Sequence, residues 1–571
     1  MRHWYLIAAA AALSVVGLVR RAPLDASERA DDGRRFRVPS EGRYHDSVEI
    51  EQLLAGWAAA DPEHVTLDRI GGGPARGIPA LVVGASTTER EELTTVLLAG
   101  APDGRSALGA EAVLRATHGL LERLDRLPPG VRLLVVPSVA PGVLDRVVAG
   151  ARPDGRFHEP LDEDGDGLVD EDGPDDLDGD GQVLDLLIRD ASGPWCIADD
   201  GRTLVRADPR DAPRYRRCRE GRDDDGDGAF NEDGAAGIDL ARHFPVGWAG
   251  PGVLEGSRPL STPTARALAL WIAARRPNIA LLFGGDHGGV HVHPATGSDA
   301  RDGALAEQVR VDLARFTGRR DVHCSVGPLR EGAMGDWLAQ VLGTSTVEIA
   351  PWGPGVLGRD GRPVGPASLD AGAPGSPSAP GQRVAPARSP IAMENAWGRW
   401  LDDVRGGVGF VDWHPVDLGG GVTGLVGGWE VRSRSNPPEG EIGAALEGLD
   451  RLVEELVAGL PRLDIGVIEA EREGRLVRVT VEVVNRGQFP TAALGGADAG
   501  VEGASDLELS IRAGCDISLL AGSPRVRITD GLAAKGVSRR VSWLLHVDEG
   551  ATLEIEVTGP NGLRAARELR P

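Results

Sequence analysis

The chain has 571 residues, 41% of them hydrophobic, and a formal net charge of −24. That length exceeds what one hydrophobic core sustains, so two or more domains are expected. The acidic balance argues against nucleic acid as a partner, since a polyanion is repelled by a negative surface. Lys535 is the only lysine, so arginine supplies nearly all of the positive charge.

The chain opens with Met1-Arg2-His3, an apolar run from Trp4 to Val19, and Arg20-Arg21. Residues 1–21 therefore read as a signal peptide or signal anchor. The apolar run is short against the roughly 20 residues of a membrane-spanning helix. The expectation is an extracytoplasmic protein: secreted, periplasmic, or tethered to a membrane through this segment. Residues 22–42 are charged and featureless and read as a linker.

From Tyr44 a core domain begins. Val48–Ala60 has helical periodicity, and Ala80–Val83 and Thr94–Gly100 read as strands. Ala107–Leu127 reads as a long helix and Val131–Pro137 as a buried strand. Ser261 or Thr262 caps a helix running to about Arg276, with Pro263 tolerated in its first turn. Asn278–Gly284 and Ser345–Ala350 read as strands, and Ala304–Phe316 and Gly332–Leu342 as helices. Gly440–Leu460 is amphipathic and closes the domain as a helix. Alternating buried strands and helices predict an α/β fold, a sheet with helices on both faces. Ligands in such sheets bind beyond the carboxyl ends of the strands, which places the loops after Gly100, Gly284 and Ala350 together.

One of those loops stands out. Leu281–Pro294 reads LLFGGDHGGVHVHP, an apolar run ending in glycines and then His287, His291 and His293. Imidazole is a common metal ligand, and glycine lets backbone or metal approach closely. Ordinary hydrogen-bonded histidines would leave the same pattern.

An acidic insertion at about 151–236 repeats itself. DEDGDGLVDED starts at Asp162 and DDDGDGAFNED at Asp223. Asp162, Asp164, Asp166 and Asp170 match Asp223, Asp225, Asp227 and Asn231 in position. A truncated third copy runs through Asp176, Asp178 and Asp180. Oxygen donors at alternate positions with a turn glycine suit calcium. Neither full copy has Glu at position twelve, so these are not EF-hand loops. Cys196 and Cys218 flank one irregular stretch and form either a disulfide or two thiols. Residues 357–393 are rich in Gly, Pro, Ser and Ala and read as a loop. Beyond Asp464 the pattern changes to alternating strands and turns, which predicts a separate β-sandwich over 464–571.

The order of these pieces resembles the zinc carboxypeptidase family, the carboxypeptidase A/B-like exopeptidases, in its bacterial secreted branch with DxDGDG insertions. The resemblance covers about 43–460. It rests on Tyr44-His-Asp-Ser47, Ile70-Gly-Gly-Gly73, Gly237-Ile-Asp-Leu-Ala-Arg-His-Phe-Pro245 with Trp248, Pro277-Asn-Ile279 leading to His287, Gly335-Asp-Trp337 and Thr346-Val-Glu348. It implies a mixed, mostly parallel central sheet. It also implies roles: His287 as distal zinc ligand, Glu348 as general base, and Arg242 as the guanidinium that binds a terminal carboxylate. The family match gives His291 and His293 no role. The family's His-x-x-Glu ligand pair falls on Asp103 and Ser106, and the Asn of its Asn-Arg pair falls on Ala241. A neutral Ser is a poor replacement for a carboxylate ligand.

Three readings are open. The first is a zinc-less, catalytically inactive relative that binds peptide carboxyl termini or cell-wall stem peptides. The second is an active metallocarboxypeptidase with a non-standard metal site built on Asp103 and His287. The third is a scaffold whose only chemistry is calcium binding.

Overall fold

The computed structural model describes the chain from residue 35 to residue 570, apart from a set of segments. The longest of these are 85–93, 150–174, 224–237, 354–396 and 492–505, and they include 286–287. The amino-terminal signal reading, most of the 22–42 linker, the 357–393 loop and His287 lie outside the described residues. So do both complete acidic loops, except Asp223.

The core opens with α1 (Ser47–Ala60), whose start is fixed by a capping box between Asp46 and Glu49. Two antiparallel strands follow, β1 (Val65–Ile70) and β2 (Ile78–Val83). Next come β3 (Thr94–Gly100), α2 (Ala107–Leu121), β4 (Val131–Val136) and α3 (Pro141–Val148). The helix expected to reach Leu127 thus ends at Leu121, and a 3-10 turn at Leu124–Arg126 completes the stretch. The acidic insertion supplies β5 (Asp185–Arg189), β6 (Trp195–Ile197), β7 (Leu204–Arg206) and β8 (Tyr215–Arg219).

The chain then returns to the core through α4 (Pro263–Arg275), where Thr262 caps by accepting from the Ala265 amide at 3.2 Å and Pro263 opens the first turn. After it come β9 (Ile279–Phe283), β10 (Gly289–His293), α5 (Asp299–Thr317), β11 (Cys324–Val326), α6 (Met334–Gln340) and β12 (Ser345–Ala350). A hairpin, β13 (Phe410–Gly419) and β14 (Val422–Trp429), precedes α7 (Ile442–Ala445) and α8 (Leu449–Ala458). The carboxyl-terminal strands are β15 (Leu463–Glu473), β16 (Leu476–Asn485), β17 (Leu507–Ala513), β18 (Ser518–Ala521), β19 (Arg525–Ile528), β20 (Ser538–His546), β21 (Leu553–Thr558) and β22 (Arg564–Leu569).

The core sheet has the order β1-β2-β4-β3-β9-β12-β10-β11. Its centre, β4, β3, β9 and β12, is parallel, and β10 returns antiparallel against β12. The sheet is therefore mixed: β2 on one side, and β10 with its parallel neighbour β11 on the other, run against the central strands. The central strands are buried along nearly their whole length. The helix α8 packs on both α2 and α5, and α6 packs against β12 and β10.

A second sheet, β13-β14-β5-β8-β6-β7, joins the insertion to the hairpin that follows the 357–393 segment. It has its own small apolar cluster, which includes Leu184, Leu186, Val416 and Val426. Cys196 and Cys218 are both thiols. Cys196 Sγ faces the Val205 carbonyl and Asp211, while Cys218 Sγ faces the Leu186 carbonyl. Beyond residue 462 lie two four-stranded sheets, β15-β16-β20-β18 and β19-β17-β21-β22. Their buried side chains, among them Val479, Leu509 and Ile555, belong to the same apolar cluster as the core. Among the described residues no helix is long and apolar enough to cross a membrane.

Candidate functional site

The parallel strands bring the segments after Gly100 and Phe283 side by side. The Ala101 amide donates to the Phe283 carbonyl at 2.8 Å, which ties the two loops together. Gly284, at φ 149°, packs on Pro102 and Ser106, where a Cβ would be crowded.

The positions matched to the family's ligand pair have another task here. Asp103 Oδ1 accepts from the Arg105 amide at 3.0 Å and from the Ser106 amide at 3.3 Å. Ser106 is the N-cap of α2, its Oγ accepting from the Gly109 amide at 3.3 Å. Asn436 Oδ1 takes the Leu108 amide at 3.1 Å. These side chains satisfy amide donors that the start of a helix leaves without intrahelical partners. Asp103 and Ser106 are buried.

Arg105 turns its guanidinium onto the buried carboxylate of Asp239, which also accepts from the Ala241 amide at 2.9 Å. Arg242 Nε lies 3.9 Å from the same Asp239 oxygen, and its side chain is 43% exposed. Two arginines thus converge on one buried carboxylate, and Arg242 keeps a solvent-facing surface. Ala241 is buried and offers no polar group beside it.

Glu348 sits on β12 opposite His291 of β10. Its carboxylate faces inward to His293, with Glu348 Oε2 at 3.4 Å from His293 Nε2. The other ring nitrogen, Nδ1, lies 2.8 Å from Asp336 Oδ1 on α6. All three side chains are 4% exposed or less. Burial alone would lower the His293 pKa, but the hydrogen bonds to Asp336 and Glu348 outweigh it and raise it to about 8. Gly335 makes the arrangement possible, because a Cβ there would fall inside the imidazole. Trp337, beside Asp336, packs on Phe244 with ring centroids 5.2 Å apart. The Gly335-Asp-Trp337 motif therefore serves to seat His293. The sequence pattern does not tie His293 to Asp336 or Glu348; its alternation with Val290 and Val292 is the available signal of a strand with one polar face.

A catalytic zinc needs three protein donors and an open position for water. The described donors do not fit it. Ser106 is a neutral cap and Asp103 Oδ1 is turned to its own loop, while His287 lies outside the described residues.

A different group of oxygens meets in the insertion. One carboxylate oxygen each of Asp176, Asp178 and Glu220 lie within 4.8 Å of one another. Glu220, just past β8, accepts from the Leu177 and Leu184 amides at 2.7 and 2.8 Å. Burial raises its pKa above the ordinary carboxylate value despite those bonds, with Asp178 adding to the effect. His414 of β13 donates from Nε2 to Asp178 Oδ2 at 2.7 Å.

Similar solved structures include carboxypeptidases and a fibrinolysis inhibitor. The carboxypeptidase A of Helicoverpa armigera is 15% identical, with a TM-score of 0.36 over 57% of this chain and 68% of that one. Bovine thrombin-activatable fibrinolysis inhibitor is 14% identical, with a TM-score of 0.33 over 54% and 86%. The metallo-carboxypeptidase of Pseudomonas aeruginosa is 16% identical, with a TM-score of 0.29 over 55% and 61%. A domain of unknown function, DUF8731, matches residues 462–570, the span of the two carboxyl-terminal sheets. No curated protein matches the chain. At such scores the likenesses carry no weight for function, which rests on the chain's own residues.

Proposed function

We propose that this protein is a carboxypeptidase-like relative that has given up zinc peptidase chemistry and binds peptide carboxyl termini, including those of cell-wall stem peptides. One observation carries the reading: Asp103 and Ser106, at the ligand-pair positions, are committed to the start of α2. Without that pair, no bound water is brought toward neutrality for Glu348 to deprotonate. Arg242 supports the binding half, since an exposed guanidinium fork matches a terminal carboxylate. The two carboxyl-terminal sheets are read as the leaves of a sandwich. The insertion is read as a calcium-binding unit, and the amino-terminal segment as directing the protein out of the cytoplasm.

Purified protein is expected to hold far less than one zinc per chain and to release no residue from peptides. Calorimetry is expected to show binding of short peptides that is lost on carboxyl-terminal amidation. Arg242→Ala should weaken it roughly 10- to 100-fold, the range of a lost charge-assisted hydrogen bond. Stoichiometric zinc with peptidase activity abolished by Glu348→Gln would overturn the inactive reading. Binding indifferent to amidation and to Arg242→Ala would overturn the carboxyl-terminus reading.

A further inference from the structure

We propose that His293 is the internal counter-cation of Glu348: an imidazolium clamped between Asp336 of α6 and Glu348 of β12, which fixes the Glu348 carboxylate on the protein's own side chain and releases it when the ring loses its proton. Hydrogen-bond bookkeeping supports this first. Both ring nitrogens of His293 face carboxylate oxygens, Nδ1 at 2.8 Å and Nε2 at 3.4 Å. An ionised carboxylate only accepts, so both nitrogens must donate, and only the doubly protonated ring can do so. Burial supports it second. Two carboxylates enclosed at 4% exposure or less need a positive partner, and the ring between them supplies one.

Among the described residues, β12 presents Glu348 and α6 presents Asp336. On its own strand His291 stands edge-on, with ring centroids 4.8 Å apart. His291 is occupied elsewhere, its Nε2 donating to the Gly327 carbonyl and its Nδ1 meeting Ser325 Oγ, both at 2.8 Å. β11 thus meets the pair through a hydroxyl and a carbonyl rather than a charge. The raised pKa of His293 agrees with this geometry.

The clamp concerns the same region as the peptide-binding reading but stands apart from it. Binding through Arg242 can fail while the clamp holds, and the reverse.

The test is histidine-ring NMR on the full chain carrying His414→Gln, which removes the other histidine with a raised pKa among the described residues. One ring is expected to titrate near pH 8. That signal should vanish in His293→Gln and move to lower pH in Glu348→Gln, where the neutral amide no longer holds the proton. Thermal unfolding of the wild type should fall between about pH 6.5 and about pH 8, and the fall should be lost in His293→Gln. If His293→Gln does not fold, the downward move in Glu348→Gln alone decides. No ring titrating above pH 7, or a ring whose titration ignores Glu348→Gln, would overturn the proposal.

Discussion

At the scale of single residues, His293 links pH to stability with a definite sign. Its pKa is about 8 in the folded chain, against about 6.5 for a free histidine. The folded state therefore binds that proton more tightly than the unfolded state does. The contribution is complete below about pH 6.5 and is lost as pH rises through about 8, and it amounts to about 2 kcal/mol. The seat of the ring can be tested without touching a charge. Gly335→Ala puts a methyl where the imidazole lies, so the helix or the ring must shift. Overpacking of this kind costs about 1–3 kcal/mol. Urea unfolding should show a lower midpoint for Gly335→Ala, and the His293 titration should move with it. An unchanged midpoint would mean that α6 is free to slide away from β10.

Elements show where sequence patterns suffice and where they stop. β3, β4, β9 and β12 are legible because a buried parallel strand is a short apolar run. The start of α4 is legible because Thr262 and Pro263 state the cap chemically. β10 reads in the sequence as a loop of candidate ligands, although Gly289–His293 alternates as a half-polar strand does. Its polar face acquires meaning only from Asp336 and Glu348, which the fold brings in from other elements. β5 to β8 are not legible, because strands of three to five residues are too short for a period to show.

The boundary near residue 464 is likewise a change of pattern but not a break in packing. Phe489, just beyond β16, donates its amide to the Gly459 carbonyl at the end of α8. Its ring lines a small apolar cavity with Val96, Leu281, Val347 and Leu456 of the core. Phe489→Ala would enlarge that void at a cost of about 3–5 kcal/mol. The full chain should still unfold in one transition, shifted to lower denaturant. A variant that unfolds in two separate steps would support the junction as the coupling, whereas an unmoved midpoint would show that the ring contributes nothing.

At the scale of the whole molecule, the insertion and the late hairpin share one sheet and one acidic cluster. Calcium at Asp176, Asp178 and Glu220 would join the loop before β5 to the end of β8, with His414 of β13 alongside. A cation that binds only the folded chain raises stability by about 2.7 kcal/mol at a hundredfold excess over its Kd. Thermal unfolding should therefore rise with added calcium. Asp176→Asn with Asp178→Asn should remove the part of the rise that this cluster supplies. An equal rise in the double variant would assign the effect to the loops at Asp162 and Asp223 instead. The same sheet sets an order of events. Ile188 of β5 pairs with Gly424 of β14, so the insertion's first strand waits for a hairpin made far later on the ribosome. Until residues 422–429 emerge, β5 presents an open edge of unpaired amides and carbonyls, a template for pairing with another chain. Closing so long a loop is also slow. The charge of the insertion acquires a second meaning there: an acidic nascent segment repels its own copies while its edge is uncovered.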